Sequence, residues 1–381
     1  MTKRVGILTL PLYDNYGGII QAAALYHSIN EKGYDSFFIY KDFYQSRWRK
    51  LAVKVLSHAP FQNIRKIRSK YKNRKIHEDF IDKFLCLRTD VVCNKDELAH
   101  TLSLNKFDIV VVGSDQVWRM EYIDKRYYGA YFLDFVPHTG ISRIAYGASF
   151  GVDYWQHKDK SKQVANWLSK FEAISVRERS GRDLCLQLGQ SNTYQVVDPT
   201  LLVDKSFYTD IIGLSDIENT SSLVCYFLDD SDLHRAVFND LYNYFGCDLE
   251  KKITLIYEKK DFQEYTIPDW LKILSEAEFI LTDSYHGLIF SLIFNKPFLI
   301  VDNSERGSAR FESLLYDVGL EDKRIKEYNS DNVLFQLKSQ IDYLAINQKI
   351  NSMRMHSDFF LNRALAGATF NESTTYDHQE W

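Results

Sequence analysis

The sequence lacks a long apolar run: none of its 381 residues belong to a stretch approaching the roughly 20 apolar residues that a membrane-spanning helix requires. The apolar run Val5–Leu10 is too short for a signal sequence and stops at Pro11, which favours a buried first strand. The sequence also lacks a large excess of one charge, since it contains 47 Lys and Arg residues and 51 Asp and Glu residues. We therefore expect a soluble, cytoplasmic protein that has no nucleic-acid partner.

Cysteine is scarce and scattered. The five cysteines are odd in number and never spaced as metal ligands; they are Cys86, Cys93, Cys185, Cys225 and Cys247. This usage is typical of a reducing compartment and indicates neither disulfides nor structural zinc. The sequence predicts no metal site and no bound cofactor.

Apolar and aromatic residues are abundant. They make up 45% and 15% of the chain, with 25 Tyr and 25 Phe, which is ample for burial. A chain of this length exceeds one ordinary core and fits two domains of Rossmann size.

Strands alternate with helices from the start of the chain. Val5–Leu10, Ile19–Asn30 and Ser36–Tyr40 form a predicted strand, helix and strand, which is typical of a parallel sheet. The β-branched run within Phe107–Gly113 predicts a strand that is buried on both faces. Three further strands are predicted at 143–148, 173–176 and 194–197.

A second alternating series begins at residue 223, after a more polar stretch, 203–220, that we interpret as a linker. It comprises predicted strands at 223–228, 253–257, 279–282 and 297–301, with helices at 270–277 and 287–294. The tail 331–366 has a long helical pattern that would cross back over the first domain. We predict domains at 1–205 and 206–330 and a helical tail at 331–381: an α/β fold of two doubly wound, Rossmann-like domains that face a cleft.

One basic insertion interrupts this rhythm. Residues 41–75 hold twelve Lys or Arg against a single Asp, with interleaved aromatic residues. The insertion would bind either the anionic inner face of the membrane or the pyrophosphate of a lipid-linked acceptor. The alternative is a solvated helical insertion.

Polar residues follow three predicted strands of the first domain, where α/β proteins bind ligands. The turn containing Asn15, Gly17 and Gly18 leads into a helix and allows close approach of a ligand, unless it is a plain turn. Gly113–Trp118 supplies Ser114, Asp115, Gln116 and Trp118 as candidates for sugar hydroxyls and faces, although Ser114 or Asp115 would also serve as a helix cap. Arg177 follows another strand and would clamp an anion or join a surface charge cluster.

The second domain offers a strand–helix junction, Thr282–Gly287. Ser284 can cap the helix, and His286 and Gly287 lie at its N-terminus, where anions collect. Arg306 and Arg310, in the polar segment after the next strand, would deliver positive charge to the same place or remain in solvent.

Together these motifs resemble the polysaccharide pyruvyl transferase family, over roughly residues 4 to 320. The resemblance rests on five segments in the family's order, Asn15–Gly18, Gly113–Trp118, Ser175–Glu178, Asp198–Leu202 and Thr282–Gly287. It implies a B-type glycosyltransferase-like fold and transfer of a pyruvyl group from phosphoenolpyruvate to two sugar hydroxyls, giving a cyclic ketal. Such enzymes serve exopolysaccharide, capsule and cell-wall synthesis.

The resemblance also assigns roles. It places the family's donor-binding arginine at Arg177 and its signature histidine at His286. From the residues themselves we predict His286 and Asp115 as catalytic residues, with His286 either an acid–base group or a phosphate ligand. The predicted donor site comprises Arg177, Ser284, His286, Gly287, Arg306 and Arg310. The acceptor site would comprise Asn15, Gly17, Gly18, Ser114, Gln116 and Trp118. Many members have Arg where this chain has Ser284, so a later arginine would supply that charge, and many have Asp where this chain has Gly18.

Two other functions remain open at this stage. One is a nucleotide-sugar-dependent glycosyltransferase of the same fold, although the paired glutamates typical of such enzymes, eight residues apart, are missing around Glu276 and Glu278. The other is a catalytically silent binding member of the family, which is favoured by the presence of Ser284 where many members have Arg.

Overall fold

The computed structural model describes residues 2–13, 15–43, 75–137, 139–213, 222–246, 252–257, 265–303 and 307–368. Contacts divide the chain into two units, which comprise residues 1–202 with 352–381 and residues 203–351. The sequence-based boundaries at 205 and 330 stay a prediction.

Unit 1 is built on a parallel sheet of six described strands in the order β2-β1-β3-β4-β5-β6. The middle strand β3 pairs with β1 from Val5↔Ile109 to Leu8↔Val112, and all four of its residues are buried, as its continuous apolar sequence predicts. The strands are β1 (Arg4–Leu8), β2 (Asp35–Phe38), β3 (Ile109–Val112), β4 (Ser142–Ala148), β5 (Ala173–Val176) and β6 (Thr193–Gln195).

The α-helices described in residues 1–202 of unit 1 lie between these strands in the sequence, and a short one follows β6. They are α1 (Tyr16–Glu31), α2 (Glu78–Phe84), α3 (Lys95–Asn105), α4 (Ser161–Leu168), α5 (Arg179–Gln187) and α6 (Pro199–Leu202). Helix α1 begins three residues before the predicted Ile19, because the side chain of Asn15 accepts a hydrogen bond from the amide of Gly18 at 2.9 Å. It is buried around most of its circumference, so its apolar residues show little helical periodicity.

Unit 2 has a parallel sheet of five described strands in the order β11-β10-β9-β7-β8. The strands are β7 (Ser222–Phe227), β8 (Lys252–Tyr257), β9 (Phe279–Thr282), β10 (Phe298–Val301) and β11 (Arg324–Ile325). The helices are α7 (Lys205–Ile212), α8 (Asp232–Tyr244), α9 (Ile267–Glu276), α10 (Tyr285–Ile293), α11 (Ala309–Val318) and α12 (Ser330–Lys338). The linker predicted at 203–220 is wrong over α7, because Tyr208 is buried there against Phe290 at 5.0 Å between ring centroids.

The long helical pattern at the C-terminus forms two helices, α12 and α13 (Tyr343–Ala366). The contact-based division falls within α13, whose residues from Ser352 onward belong to unit 1. There Ser357 accepts a hydrogen bond from the amide of Val197 at 2.9 Å, and Phe360 packs on Tyr194. Two parallel sheets with helices and a C-terminal helix confirm the predicted α/β class, and no helix in the described part of the chain is long and apolar enough to cross a bilayer.

Candidate functional site

The end of β3 is shaped by a glycine. Gly113 has φ +123°, and a Cβ atom there would lie 2.1 Å from the carbonyl oxygen of Tyr146, so only glycine fits. Two residues later, Asp115 also adopts a left-handed backbone, with φ +77°, a conformation that Asp tolerates better than most residues. Strained backbone of this kind is common at functional sites.

Asp115 is held by a buried arginine. The guanidinium of Arg177, directly after β5, donates from Nη2 to Asp115 Oδ1 at 2.9 Å and from Nη1 to Asp198 Oδ2 at 2.6 Å. The Arg177 side chain has no exposed surface. Charge-assisted bonds from a rigid fork fix both carboxylates in place.

Further carboxylates make this end of the sheet acidic. Asp198 also accepts hydrogen bonds from the amide and hydroxyl of Thr200, and Glu178 Oε1 accepts the amides of Phe150 and Gly151. With Arg177 against Asp115, Asp198 and Glu178, the formal charge is one minus three, or −2. Burial raises the pKa of nearby Tyr146 well above its ordinary value, and the charge of Asp198 adds to this, so its hydroxyl remains neutral.

A pocket of about 240 Å³ opens beside Asp115. It brings Asp115 together with two predicted residues of the first turn, Asn15 and Gly18. Three more of its residues, Gln21, Phe43 and Tyr122, were missed from the sequence. The remainder of the lining comes from the segment after β1: Thr9, Leu10, Pro11 and Leu12.

The missed residues had weak sequence signals. Gln21 lies inside the apolar pattern of α1, yet it donates to Gly18 O at 3.0 Å and accepts the amide of Ser114 at 3.1 Å, which joins two of the motifs. Phe43 lies five residues after the end of β2, and Tyr122 lies ten residues after the end of β3. Most of the sequence-based candidates were taken from positions directly after a strand.

Four residues predicted to bind the acceptor are not part of the pocket lining. Ser114 is fully buried and donates to Gly147 O at 2.7 Å, Gly17 is buried inside α1, and Gln116 accepts a hydrogen bond from Arg119. The prediction that Trp118 faces a sugar is wrong: it is 1% exposed, stacks on Phe132 and donates to Tyr131 O. A large apolar ring next to a polar motif contributes more by completing the core.

In unit 2 the predicted junction lies between β9 and α10. Ser284 is the N-cap, as predicted, and accepts a hydrogen bond from the amide of Gly287 at 3.4 Å. A Cβ atom on Gly287 would lie 2.4 Å from Thr282 Oγ1, so the glycine allows the helix to pack closely on the strand. The helix N-terminus is thereby placed at the carboxyl end of the sheet.

His286 and Arg310 both contact the same tyrosine. The rings of His286 and Tyr285 are 5.7 Å apart, and the guanidinium carbon of Arg310 lies 5.1 Å from the centroid of Tyr285. Arg310 is in the first turn of α11, and both residues are largely buried. Arg306 lies outside the described residues.

Asp283 ties several segments of unit 2 together. Its carboxylate accepts hydrogen bonds from the amides of Leu228 and Asp229, after β7, and from the side chain of Asn303, after β10. His234 Nε2 lies 3.2 Å from Asp283 Oδ2. With its carboxyl group fully buried, Asp283 orders the strand ends around the junction. In the described ranges, no group of three or more His, Cys, Asp or Glu side chains is arranged to hold a metal ion.

Comparison with solved structures shows the fold alone, because the identities are low. MnaA of S. aureus in complex with UDP superposes with a TM-score of 0.54 at 12% identity, covering 97% of this chain and 100% of that chain. A putative UDP-N-acetylglucosamine 2-epimerase from Listeria monocytogenes gives 0.52 at 10%, covering 96% and 95%. UDP-GlcNAc 2-epimerase from Neisseria meningitidis, bound to UDP-GlcNAc, gives 0.51 at 12%, covering 96% and 100%.

A search of curated proteins found no match. A profile of the family described as polysaccharide pyruvyl transferase, however, matches residues 15–305. The matched range contains both Asp115 and the junction at His286. It also spans the segments Gly113–Trp118 and Thr282–Gly287 on which the resemblance rested. The chain therefore belongs to the polysaccharide pyruvyl transferase family.

Proposed function

We propose that this protein transfers a pyruvyl group from phosphoenolpyruvate to two hydroxyls of a sugar, which forms a cyclic ketal and releases phosphate. The sugar would belong to a cell-surface polysaccharide or to its lipid-linked precursor. Family membership supports the reaction class. The observation that carries the proposal is the Asp115 carboxylate, which lies in the pocket and is fixed by Arg177.

The pocket of unit 1 suits the acceptor. Its volume of about 240 Å³ is below the roughly 300–1,000 Å³ of sites for drug-sized ligands, which fits one sugar ring. The rings of Phe43 and Tyr122 offer apolar faces, while Asn15 and Gln21 offer amide groups for hydroxyls. In this proposal Asp115 accepts the proton of an attacking hydroxyl.

The donor would bind to unit 2. Phosphoenolpyruvate carries a carboxylate and a phosphate, whereas the cluster of Arg177 with Asp115, Asp198 and Glu178 has a formal charge of −2. At the junction, the N-terminus of α10 with Ser284 and Gly287, the imidazole of His286 and the guanidinium of Arg310 provide donors for it. Arg310 would supply the charge that many family members place at position 284.

The proposed chemistry proceeds in balanced steps. A proton adds to the methylene carbon of phosphoenolpyruvate, and the first sugar hydroxyl attacks the neighbouring carbon and loses its proton to Asp115. Phosphate then leaves with its bonding electron pair, and the second hydroxyl attacks the same carbon and gives its proton to the departing phosphate, closing the ketal. His286 would either deliver the first proton or bind the phosphate. Phosphoenolpyruvate is a co-substrate, and the reaction as written needs no metal or organic cofactor.

The direct test is turnover with purified full-length protein. Phosphate release from phosphoenolpyruvate should depend on an added saccharide, and mass spectrometry should show a product heavier than the acceptor by one pyruvyl ketal. A panel of free and lipid-linked sugars would identify the acceptor. Phosphate release without acceptor dependence, or no ketal product with any member of the panel, would contradict the proposal.

Nucleotide-sugar transfer is the second candidate, because structures of similar fold are bound to UDP or UDP-GlcNAc. Ligands that bind the folded state raise the melting temperature. We expect phosphoenolpyruvate to do so and UDP to leave it unchanged. Stabilisation by UDP alone would favour the glycosyltransferase, and stabilisation by neither ligand would favour the silent member.

A further inference from the structure

Two loops meet through a contact between Glu121 and His157, and the first of them reaches the pocket at Tyr122. The first follows β3 and contains Arg119, Glu121 and Tyr122; the second follows β4 and contains Tyr154, Trp155 and His157. Strands β3 and β4 are neighbours, so both loops start at the same edge of the sheet. We name these six side chains the outer platform.

The platform begins in the pocket wall. Tyr122 lines the pocket, and the guanidinium carbon of Arg119 lies 4.4 Å from the centroid of its ring. Arg119 also donates to Gln116 Oε1 at 2.9 Å, which fixes the guanidinium plane against Tyr122. At this side of the pocket, the ring of Tyr122 therefore packs against a planar cationic group.

Glu121 connects this wall to the second loop. One carboxylate oxygen lies 3.9 Å from Arg119 Nε, and the other lies 2.9 Å from His157 Nε2. The His157 ring meets the edge of Trp155 at 5.9 Å between centroids. Trp155 is fixed in turn by a bond from its indole nitrogen to Ser161 at 2.8 Å and by Phe150.

The side chains of the outer platform differ in exposure. Tyr122 and Trp155 are partly buried, Glu121 is 42% exposed in its side chain, and Tyr154 is 61% exposed. Planar rings alternate with planar hydrogen-bonding groups, which is the combination that contacts the faces and hydroxyls of sugars. The opposite charges of Arg119 and Glu121 offset each other, which favours a neutral ligand over a polyanion.

We propose that the outer platform binds the second sugar residue of the acceptor, adjoining the residue that receives the pyruvyl group. The acceptor is then a neutral oligosaccharide or polymer, and a free monosaccharide fills only part of the site. This inference rests on the proposed function for the identity of the pocket, and it adds a subsite that the pocket does not contain.

The test compares acceptor lengths. Full-length protein with phosphoenolpyruvate is given mono-, di- and tetrasaccharides that end in the same sugar, for glucose, galactose and N-acetylglucosamine series, and kcat/KM is measured by phosphate release. We expect the ratio of kcat/KM for the tetrasaccharide to kcat/KM for the monosaccharide to fall about three- to tenfold in the double variant Tyr154→Ala, His157→Ala. This is the range that the loss of one or two aromatic contacts produces. Tyr316→Ala, another exposed tyrosine, on α11 of unit 2, is the matched control and should keep the wild-type ratio.

The two proposals fail differently. A wild-type ratio near one, with monosaccharides transferred efficiently, would overturn the platform and leave the proposed function intact. An unchanged ratio in the double variant would do the same. If no saccharide supports phosphate release, the proposed function fails in this assay; isothermal titration of the tetrasaccharides without donor then decides the platform. Binding weakened by the double variant supports it, and binding that is unaffected or undetectable overturns it.

Discussion

At the scale of single residues, Asp115 is the group on which the proposed chemistry depends most. Replacing its carboxylate by an amide in Asp115→Asn removes a proton acceptor while keeping the side-chain shape. We expect turnover to fall by about 10²- to 10⁴-fold, the usual contribution of a general base, with little change in the KM for phosphoenolpyruvate. Steady-state kinetics measure both. Asp35→Asn, an exposed residue at the start of β2, should behave as wild type; Asp115→Asn retaining a tenth of the activity would exclude the base role.

The contacts of Arg177 suggest a different role from the one predicted from the sequence. The sequence assigned it to the donor, but its two amino groups bridge Asp115 and Asp198 in the interior. We propose that it positions Asp115. Arg177→Lys keeps the charge without the fork, so kcat should fall while the KM for phosphoenolpyruvate stays near wild type. Arg177→Ala should lower the free energy of unfolding by about 3–5 kcal/mol, because it leaves buried carboxylates uncompensated.

Kinetics for Arg177→Lys and urea midpoints for both variants check this prediction. Arg182→Lys, in the middle of α5, is the control for a change of Arg to Lys in the same unit. A KM for phosphoenolpyruvate that rises at unchanged kcat would instead assign Arg177 to the donor, as first predicted.

Tyr285 provides a third test at this scale. Its ring contacts both His286 and the guanidinium of Arg310. Tyr285→Leu removes the ring, and a cation–π contact of about 0.5–2 kcal/mol corresponds to about a 2- to 30-fold rise in the KM for phosphoenolpyruvate. Tyr285→Phe keeps the ring and serves as the matched control. Equal KM values for the Phe and Leu variants would show that the ring does not position Arg310.

At the scale of elements, the last helix stabilises unit 1. Residue His356 of α13 lies beside Tyr194, and burial lowers the pKa of its imidazole below the ordinary value of 6.5. The folded state then binds this proton less readily than the unfolded state, so stability is lost as the pH falls through and below about 6.5. We expect the urea midpoint to decrease between pH 7.5 and 5.5, and His356→Gln to make that decrease smaller.

The control for this prediction is His100→Gln, an exposed histidine in α3 of the same unit. It should leave the pH dependence of the urea midpoint unchanged. If His356→Gln and wild type lose the same stability over this range, other groups carry the acid sensitivity.

Elements were more predictable than their contacts. The strands β5 and β9 lie where the sequence placed them, because each is a short apolar run bounded by polar residues. The pairing of Arg177 with Asp115 spans 62 residues of sequence, so no local pattern reveals it. Trp118 was predicted to contact a sugar face because it lies in a polar and aromatic cluster directly after a strand, yet its large ring is buried in the core. Local periodicity thus predicts the framework, whereas the partner of each side chain depends on tertiary packing.

At the scale of the whole molecule, the chain combines two charge regimes. The net charge is −4, whereas residues 41–75 carry twelve basic residues against one Asp, or +11, which leaves −15 for the remainder. Of this insertion the structure describes residues 41–43 and 75. A polybasic segment near an anionic membrane gains about 1 kcal/mol per basic residue, and salt screens this attraction. The insertion would bring the protein to the surface where lipid-linked acceptors reside.

We therefore expect the protein to co-sediment with vesicles containing phosphatidylserine at low salt and to be released at high salt. The combined change Arg65→Glu, Lys66→Glu and Arg68→Glu should abolish sedimentation without altering turnover on a soluble acceptor. Lys106→Glu, Lys272→Glu and Lys338→Glu make the same change in charge elsewhere and should sediment as wild type. Sedimentation that stays absent at low salt would exclude the membrane as a ligand of the insertion. KM values for lipid-linked and free saccharides would then distinguish binding of the acceptor's pyrophosphate, which lowers the KM of the lipid-linked saccharide, from a solvated insertion, which leaves the two KM values equal.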